Sequence, residues 1–254
     1  MPAGIGGAAY GPAARRCCIL ASHCIPYARW HRMSSTDLYR PTSSAGSDPE
    51  PQTLDNLPLF PLHTVLFPGG RLPLRVFEAR YVDMVRNCLR DGTPFGACLI
   101  ESGDEVARPG KATVPETVGC LAEIVDCNME QLGVLLIRAR GRERFQIISH
   151  ETRDDGLLVA RAKVLPADII DCKLELLGEC LDALRRIVTR LHAEQPDRMP
   201  FDEPYLWDDP SWVANRLCEL LPVPLKAKQM LMALPDAGMR IEIVHRYMRQ
   251  NHIV

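Results

Sequence analysis

Apolar residues recur along the chain with two different spacings, one typical of strands and one typical of helices. Together these spacings predict the fold class. Short apolar runs separated by turn residues occupy the middle of the chain, a pattern typical of strands. Such runs span residues 57–67, 72–76, 95–100, 117–127, 133–139, 144–149 and 157–165. Prolines in the first run confine it to an edge or irregular strand. A polar loop is predicted between the third and fourth runs, at residues 102–115.

The helical spacing of apolar residues occurs once within this region and repeatedly in the C-terminal part of the chain. Residues 78–91 repeat apolar side chains on one helical face, and Gly92 is the expected C-cap. Asp209 and Pro210 have the residue types of an N-cap and a first helical position. The later helices are predicted at residues 174–191, 209–221, 225–233 and 236–250.

These periods predict an α+β fold with two parts. Residues 57–168 form an antiparallel β domain with one inserted helix, and residues 169–254 form a C-terminal helical bundle. Residues 1–56 form a leader without periodicity, rich in Gly, Pro, Ala, Ser and Thr, and are expected to be disordered.

Three interpretations of the leader stay open. A secretory signal is disfavoured because its apolar run, residues 17–21, is too short. An organellar transit peptide fits the Arg-rich, acid-poor composition but lacks a clear amphipathic helix. The favoured interpretation is an over-extended gene start with Met33 as the initiator.

Composition narrows the function classes. The 254 residues carry a formal net charge of −2, whereas nucleic-acid coats and membrane-surface proteins rely on a basic excess. No apolar run approaches the length that spans a bilayer. The ten cysteines include no C-x-x-C pair and no zinc spacing, so we expect buried thiols in a reducing cytoplasm.

Catalytic motifs are missing from the sequence. It contains no phosphate loop, no dinucleotide fingerprint, no H-E-x-x-H and no G-x-S-x-G, and its seven histidines are dispersed. We therefore predict no catalytic residue, no cofactor and no metal ligand. A hydrolase of an unrecognised type stays as a minor hypothesis.

Two charged clusters could bind a ligand. Arg138, Arg140, Arg142 and Arg144 alternate along one run, so an unbroken strand would present all four on one face to an acidic ligand or RNA. The favoured alternative is a solvated face in which Gly141 introduces a bulge.

The second cluster lies at the junction of a strand and the inserted helix. Arg75, Glu78, Arg80 and Tyr81 could hold a ligand there, or the glutamate could pair with either arginine as a structural contact. The structural role is favoured, because a carboxylate suits the first helical turn.

The chain resembles a known family in three blocks. Residues 57–62, 65–69, 72–74 and 77–81 resemble the opening of the Lon protease N-terminal domain. Residues 118–124 and 141–147 are similar to its second and third blocks, and the resemblance extends over residues 57–250. It implies a PUA-like β domain that recognises unfolded or tagged substrates and is not catalytic.

From this resemblance we expect a protein- or peptide-recognition module in protein quality control. Its expected partners are unfolded or extended polypeptides and a protease or chaperone, with no nucleic acid and no membrane. The alternative is an RNA- or acidic-ligand-binding PUA-like protein that uses the run from Arg138 to Arg144.

A groove between the two parts, near the first strand and the inserted helix, is the expected binding site. The candidate binding residues are Phe60, Phe67, Phe77, Tyr81, Arg140 and Arg142. The candidate structural residues of the motif are Glu78, Arg80, Gly141, Arg144 and Phe145.

Overall fold

The computed structural model describes residues 52–105, 113–194 and 199–254, and these belong to one compact unit. Seven strands come first and enclose one helix. The strands are β1 (Thr53–Leu62), β2 (Arg71–Val76), β3 (Phe95–Ser102), β4 (Val114–Pro115), β5 (Val118–Gln131), β6 (Val134–Thr152) and β7 (Leu158–Val164). The helices are α1 (Ala79–Asp91), α2 (Leu174–Glu194), α3 (Pro210–Leu220), α4 (Leu225–Ala233) and α5 (Ala237–Gln250). The predicted α+β fold is confirmed.

Five of the strands close into a barrel. They pair in the order β1-β7-β6-β5-β3, and β3 pairs back to β1. The closing pair is parallel, with Leu59 beside Gly96, whereas the other pairs are antiparallel. Parallel neighbours need a crossover connection, and β2 with α1 supplies it between β1 and β3. The predicted antiparallel β domain is thus a barrel that contains one parallel pair of strands, β1 and β3.

Strand β6 replaces two predicted strands. Residues 133–139 and 144–149 were expected as separate strands, but β6 runs through both without interruption. Gly141 stays in the sheet: its N–H donates to the carbonyl of Gly70, and its carbonyl accepts from Gly69. The first half of β6 pairs with β2 and β5, and its second half pairs mainly with β7.

The first strand begins earlier than the sequence predicts. Thr53 pairs with Lys163 and Leu54 with Ala162, so residues 53–56 belong to the barrel and not to the leader. The strand also ends at Leu62, five residues before the predicted end. Leader residues 1–51 and residues 106–112 of the predicted polar loop lie outside the described residues.

The predicted end of α1 and the predicted start of α3 agree with the observed ones. Gly92 adopts a left-handed φ of 63° and its N–H bonds the carbonyl of Cys88, which ends α1. The Asp209 side chain accepts from the N–H of Ser211 and caps α3, with Pro210 in its first turn.

The helices pack on the barrel through a shared core. Their apolar cluster, built mainly from α2, α3 and α5, includes Val65, Phe67 and Leu99 from the β part. Phe67 is fully buried there. The segment between β1 and β2 therefore joins the two parts and fixes the position of β2.

Candidate functional site

A cavity of about 480 Å³ extends along β2. We call it the β2 groove. Its lining comes from the end of β1, the whole of β2, the start of α1 and the loop after β3. The residues are Phe60, Leu62, His63, Thr64, Arg71, Leu72, Pro73, Leu74, Arg75, Val76, Phe77, Glu78, Tyr81 and Glu105. All of them precede the helical part in sequence, so the groove does not lie between the two parts as we expected.

Three of the four candidate aromatic residues meet in the β2 groove. Phe60 stacks on Tyr81 with ring centroids 4.0 Å apart, and its other neighbour is the core residue Phe95 at 6.0 Å. Phe60 and Tyr81 are buried, whereas Phe77 is 59 % exposed. The groove therefore has a rigid aromatic pair in its lining and one exposed aromatic side chain at the end of β2.

Glu78 and Arg80 hold the start of α1 in place. Arg80 donates to the Glu78 carboxylate at 2.8 Å and to the carbonyl of Gly156 at 2.7 Å. Its guanidinium also lies over the Tyr81 ring, 4.6 Å from the centroid. Burial raises the pKa of the Tyr81 hydroxyl to about 12, so this side chain stays neutral at physiological pH.

The charges around the β2 groove are paired within the protein. Arg75 forms a 2.8 Å ion pair with Glu130 of β5, and the backbone N–H of His63 donates to the Glu105 carboxylate. Because these charges already have partners, the groove offers mainly apolar surface and backbone to a ligand.

Phe67, the fourth candidate aromatic residue, lies away from the groove. It is fully buried between the barrel and the helices, and its backbone oxygen lies against Gly141. A ligand at the surface cannot reach it. Its part in the structure is to join the two cores.

The candidate arginines line a second cavity of about 360 Å³, at the middle of β6 and the segment after β7. The four guanidiniums do not share one face, because β6 bulges after Gly141, as the favoured interpretation of this run anticipates. The bulge turns Arg144 inward, where it donates to the carbonyls of Met232 and Leu234 and forms a 2.7 Å ion pair with Asp168.

Of the remaining residues of this run, Arg140 and Arg142 line the cavity. Arg142 is already paired with Glu123 at 3.1 Å. Phe145, next to Arg144, is fully buried in the barrel core. Of the three arginines that line the cavity, Arg144 therefore belongs to a buried structural cluster and Arg142 to a surface ion pair.

A buried charged pair that the sequence does not predict lies beneath the Gly69-Gly70 turn. Arg216 of α3 is fully buried, donates to the carbonyl of Pro68 and pairs with Glu219 at 3.0 Å. Burial raises the pKa of the Glu219 carboxyl to about 7. The sequence of α3 gives no sign that these two residues are buried. Oppositely charged residues at positions i and i+3 of a helix usually face solvent.

An apolar cavity of about 330 Å³ lies between α3, α4 and α5, and the sequence does not predict it. Met230, Leu234, Ile243 and Tyr247 are among its lining residues. Their spacing predicted only a packed helical core, and the structure leaves part of that face open.

Within residues 52–105, 113–194 and 199–254, no three His, Cys, Asp or Glu side chains are grouped so as to hold a metal ion. No helix in the same ranges has both the length and the apolar character to cross a membrane. Seven cysteines in these ranges are free thiols, and five of them are buried.

The sequence and the fold of this chain are similar to those of known proteins. The family described as the ATP-dependent protease La (LON) substrate-binding domain matches residues 56–250. A Lon N-terminal domain protein from Xanthomonas campestris has a similar structure, with 35 % identity and a TM-score of 0.61 over 75 % of this chain and 97 % of that one. The N-terminal domain of the Mycobacterium avium complex Lon protease shares the fold at 17 % identity, with a TM-score of 0.52 over 76 % and 96 % of the chains.

Curated relatives are longer proteins. Protein cereblon from Danio rerio is 32 % identical over 63 % of this chain and 38 % of its own length. Lon protease from Anaeromyxobacter dehalogenans (strain 2CP-C) is 27 % identical over 74 % of this chain and 22 % of its own length. The chain thus spans less than two fifths of these relatives. The match to the family covers more than half of the chain and includes every element of the barrel after the start of β1, so the chain belongs to the Lon substrate-binding domain family.

Proposed function

We propose that this protein is a non-catalytic recognition module that binds extended segments of unfolded polypeptide in the β2 groove. The observation that carries the proposal is the meeting of Phe60, Tyr81 and Phe77 in one groove, within a family described as substrate-binding. A groove lined by aromatic and aliphatic side chains binds through apolar burial, which depends little on the exact sequence of a client.

Phe77 is the side chain that a bound segment can cover. It is more than half exposed and directly follows β2, so a client lying along the groove would remove much of its ring from water. Fully burying a phenylalanine side chain contributes about 1.5–3 kcal/mol. Loss of part of this contribution corresponds to roughly a tenfold change in affinity.

A binding assay tests this function. The probe is fluorescein-labelled, reduced and carboxymethylated α-lactalbumin, a permanently unfolded chain, followed by fluorescence anisotropy. We expect saturable binding, weakened about tenfold by Phe77→Ser, a substitution that removes exposed aromatic surface. The matched control is Ile148→Ser, because Ile148 is a similarly exposed apolar residue on β6, outside the groove.

The control variant should bind like the unchanged protein. Absence of binding to the unfolded probe would refute the proposed function. Equal weakening by both serine variants would refute the groove as the binding site and leave general surface hydrophobicity as the cause.

RNA binding is the alternative that the same assay checks. Its structural support is weak, because Arg144 is held by Asp168 and main-chain carbonyls, and Arg142 is held by Glu123. Saturable binding of a labelled oligouridine, weakened by salt and by Arg140→Gln, would favour it over peptide recognition.

We also propose a cellular setting for this activity. Recognition of unfolded chains suits protein quality control, in which the bound client passes to a protease or chaperone partner. The free and mostly buried thiols suit a reducing compartment, the cytoplasm.

A further inference from the structure

Among the described residues, strand β2 pairs with another strand along one edge only. It pairs with β6 along its whole length, from Arg71 opposite Arg140 to Val76 opposite Leu135. No other strand among the described residues pairs with β2. Natural proteins usually shield such edges, because unpaired backbone groups can pair with a strand of another chain.

The direction of the backbone groups on β2 follows from one contact and from the alternation of hydrogen-bonding direction along a strand. The N–H of Arg71 donates to the carbonyl of Pro200, which belongs to no strand, so the groups of Arg71 point away from β6. Hydrogen-bonding direction alternates along a strand, so Pro73 and Arg75 also direct their backbone groups outward. Pro73 has no N–H to donate, which agrees with a proline on an open edge.

The outward groups of β2 form a short row of hydrogen-bonding positions. The carbonyls of Arg71, Pro73 and Arg75 and the N–H of Arg75 have no hydrogen-bond partner within the part of the chain that the structure describes. Three acceptors and one donor are therefore available to an added strand.

The groove and the open edge coincide. Every residue of β2 lines the β2 groove, and Phe77 continues the lining directly beyond the strand. An extended chain places alternate side chains on opposite faces. A segment that hydrogen-bonds to the edge would therefore direct every second side chain toward Phe60, Tyr81 and Phe77.

We propose that the client binds by strand addition, as an extended polypeptide segment that hydrogen-bonds to the outer edge of β2. This inference rests on the proposed function and defines its ligand class. The ligand is a segment with free backbone N–H groups at alternate positions and apolar side chains directed into the groove. Main-chain pairing supplies affinity that does not depend on client sequence, and the groove supplies the preference for apolar residues.

N-methylated peptides separate strand addition from binding by side chains alone. The probe is a fluorescein-labelled decapeptide in which Val and Leu alternate with Ser and Thr between lysine ends. Two further versions carry N-methyl groups on the apolar or on the polar residues. We expect one methylated version to bind about tenfold or more weakly and the other to bind within about twofold of the parent, because an added strand uses only alternate amides.

Two variants of β2 test the same edge from the protein side. Arg75→Pro removes the one free donor and leaves the β6 pairing intact, so we expect it to weaken binding of the parent peptide about fivefold. Arg75→Ala, the matched comparison, removes the same side chain and its ion pair but keeps the N–H, so it should weaken binding clearly less than Arg75→Pro does.

Amide hydrogen exchange at Arg75 gives an independent readout, since the parent peptide should slow it. If the parent peptide binds and neither methylated version differs from it, strand addition is overturned while peptide recognition stands. If the parent peptide and unfolded α-lactalbumin both fail to bind, the proposed function fails and the inference fails with it.

Discussion

At the scale of single residues, a buried three-membered ionic cluster ties the β part to the helices. Asp168 accepts from Arg144 of β6 and from Arg240 of α5, and all three side chains are almost fully buried. Arg144 and Arg240 also both donate to the carbonyl of Leu234. The one carboxylate therefore balances two guanidiniums that burial has removed from water.

Neutralising this carboxylate should cost much of the stability of the protein. We expect Asp168→Asn to lower the free energy of unfolding by about 3–5 kcal/mol, because it leaves two buried positive charges without a counter-charge. Urea denaturation followed by circular dichroism measures the change. The control is Asp83→Asn on α1, which breaks a solvent-exposed pair with Arg86 and should change little. Equal effects of the two substitutions would contradict this account.

At the scale of elements, two glycines differ in whether the structure leaves room for a Cβ atom at their position. A Cβ on Gly141 of β6 would lie 2.1 Å from the backbone oxygen of Phe67, because the strand and the segment after β1 are in direct contact there. A Cβ on Gly178 of α2 would meet no atom within 4 Å. Only the first glycine is needed for the close approach of two backbones.

The two Gly→Ala substitutions should therefore change stability in opposite directions. Gly141→Ala should lower the free energy of unfolding by about 1–3 kcal/mol, since β6 must move away from Phe67. Gly178→Ala should raise it by roughly 1 kcal/mol, because alanine favours the interior of a helix. Thermal and urea unfolding of both variants provide the measurement. A stabilised Gly141→Ala protein would show that this contact is not close in solution.

At the scale of the whole molecule, the barrel and the helices share their core. Phe67 and Leu99 from the β part pack among the helical residues, and Arg144 hydrogen-bonds to carbonyls near the end of α4. The barrel also has apolar clusters of its own, but the helical cluster is completed by side chains from the β part. The two parts should therefore unfold together.

We expect a single unfolding transition for the whole chain. Fluorescence of Trp207 and Trp212 follows the helical part, and hydrogen exchange of peptides from β5 and β7 follows the barrel. The third tryptophan, Trp30, is replaced by phenylalanine so that the signal comes from the helical part alone. Coincident midpoints in urea support the shared core, and two separate midpoints would contradict it.

Local patterns predicted much of the fold. The period of α1 and the left-handed Gly92 that ends it were visible in the sequence, as were Asp209 and Pro210 at the start of α3. The continuity of β6 was not visible, because a glycine between two apolar runs usually indicates a break. Gly141 remains in the strand, where it pairs with Ala122 of β5 and donates its N–H to the distant Gly70 carbonyl.

Three of the candidate side chains line one groove, whereas the backbone edge beside them was not predicted. Phe60, Phe77 and Tyr81 were selected from the sequence, and the structure brings them into one groove. Phe67 has the same residue type but lies in the shared core, a difference that only tertiary packing decides. The open edge of β2 carries no sequence signal beyond Pro73, because strand neighbours are set by topology and not by local pattern.

The imbalance of acceptors and donors on β2 has a consequence for self-association. Two copies that met edge to edge would bring six free carbonyls against two N–H groups, so most of those carbonyls would stay unpaired and dehydrated. A client segment with a complete set of amides supplies a donor to each carbonyl. Pro73, which has no N–H, therefore disfavours edge-to-edge pairing between copies of this chain, whereas a foreign segment can still pair with β2.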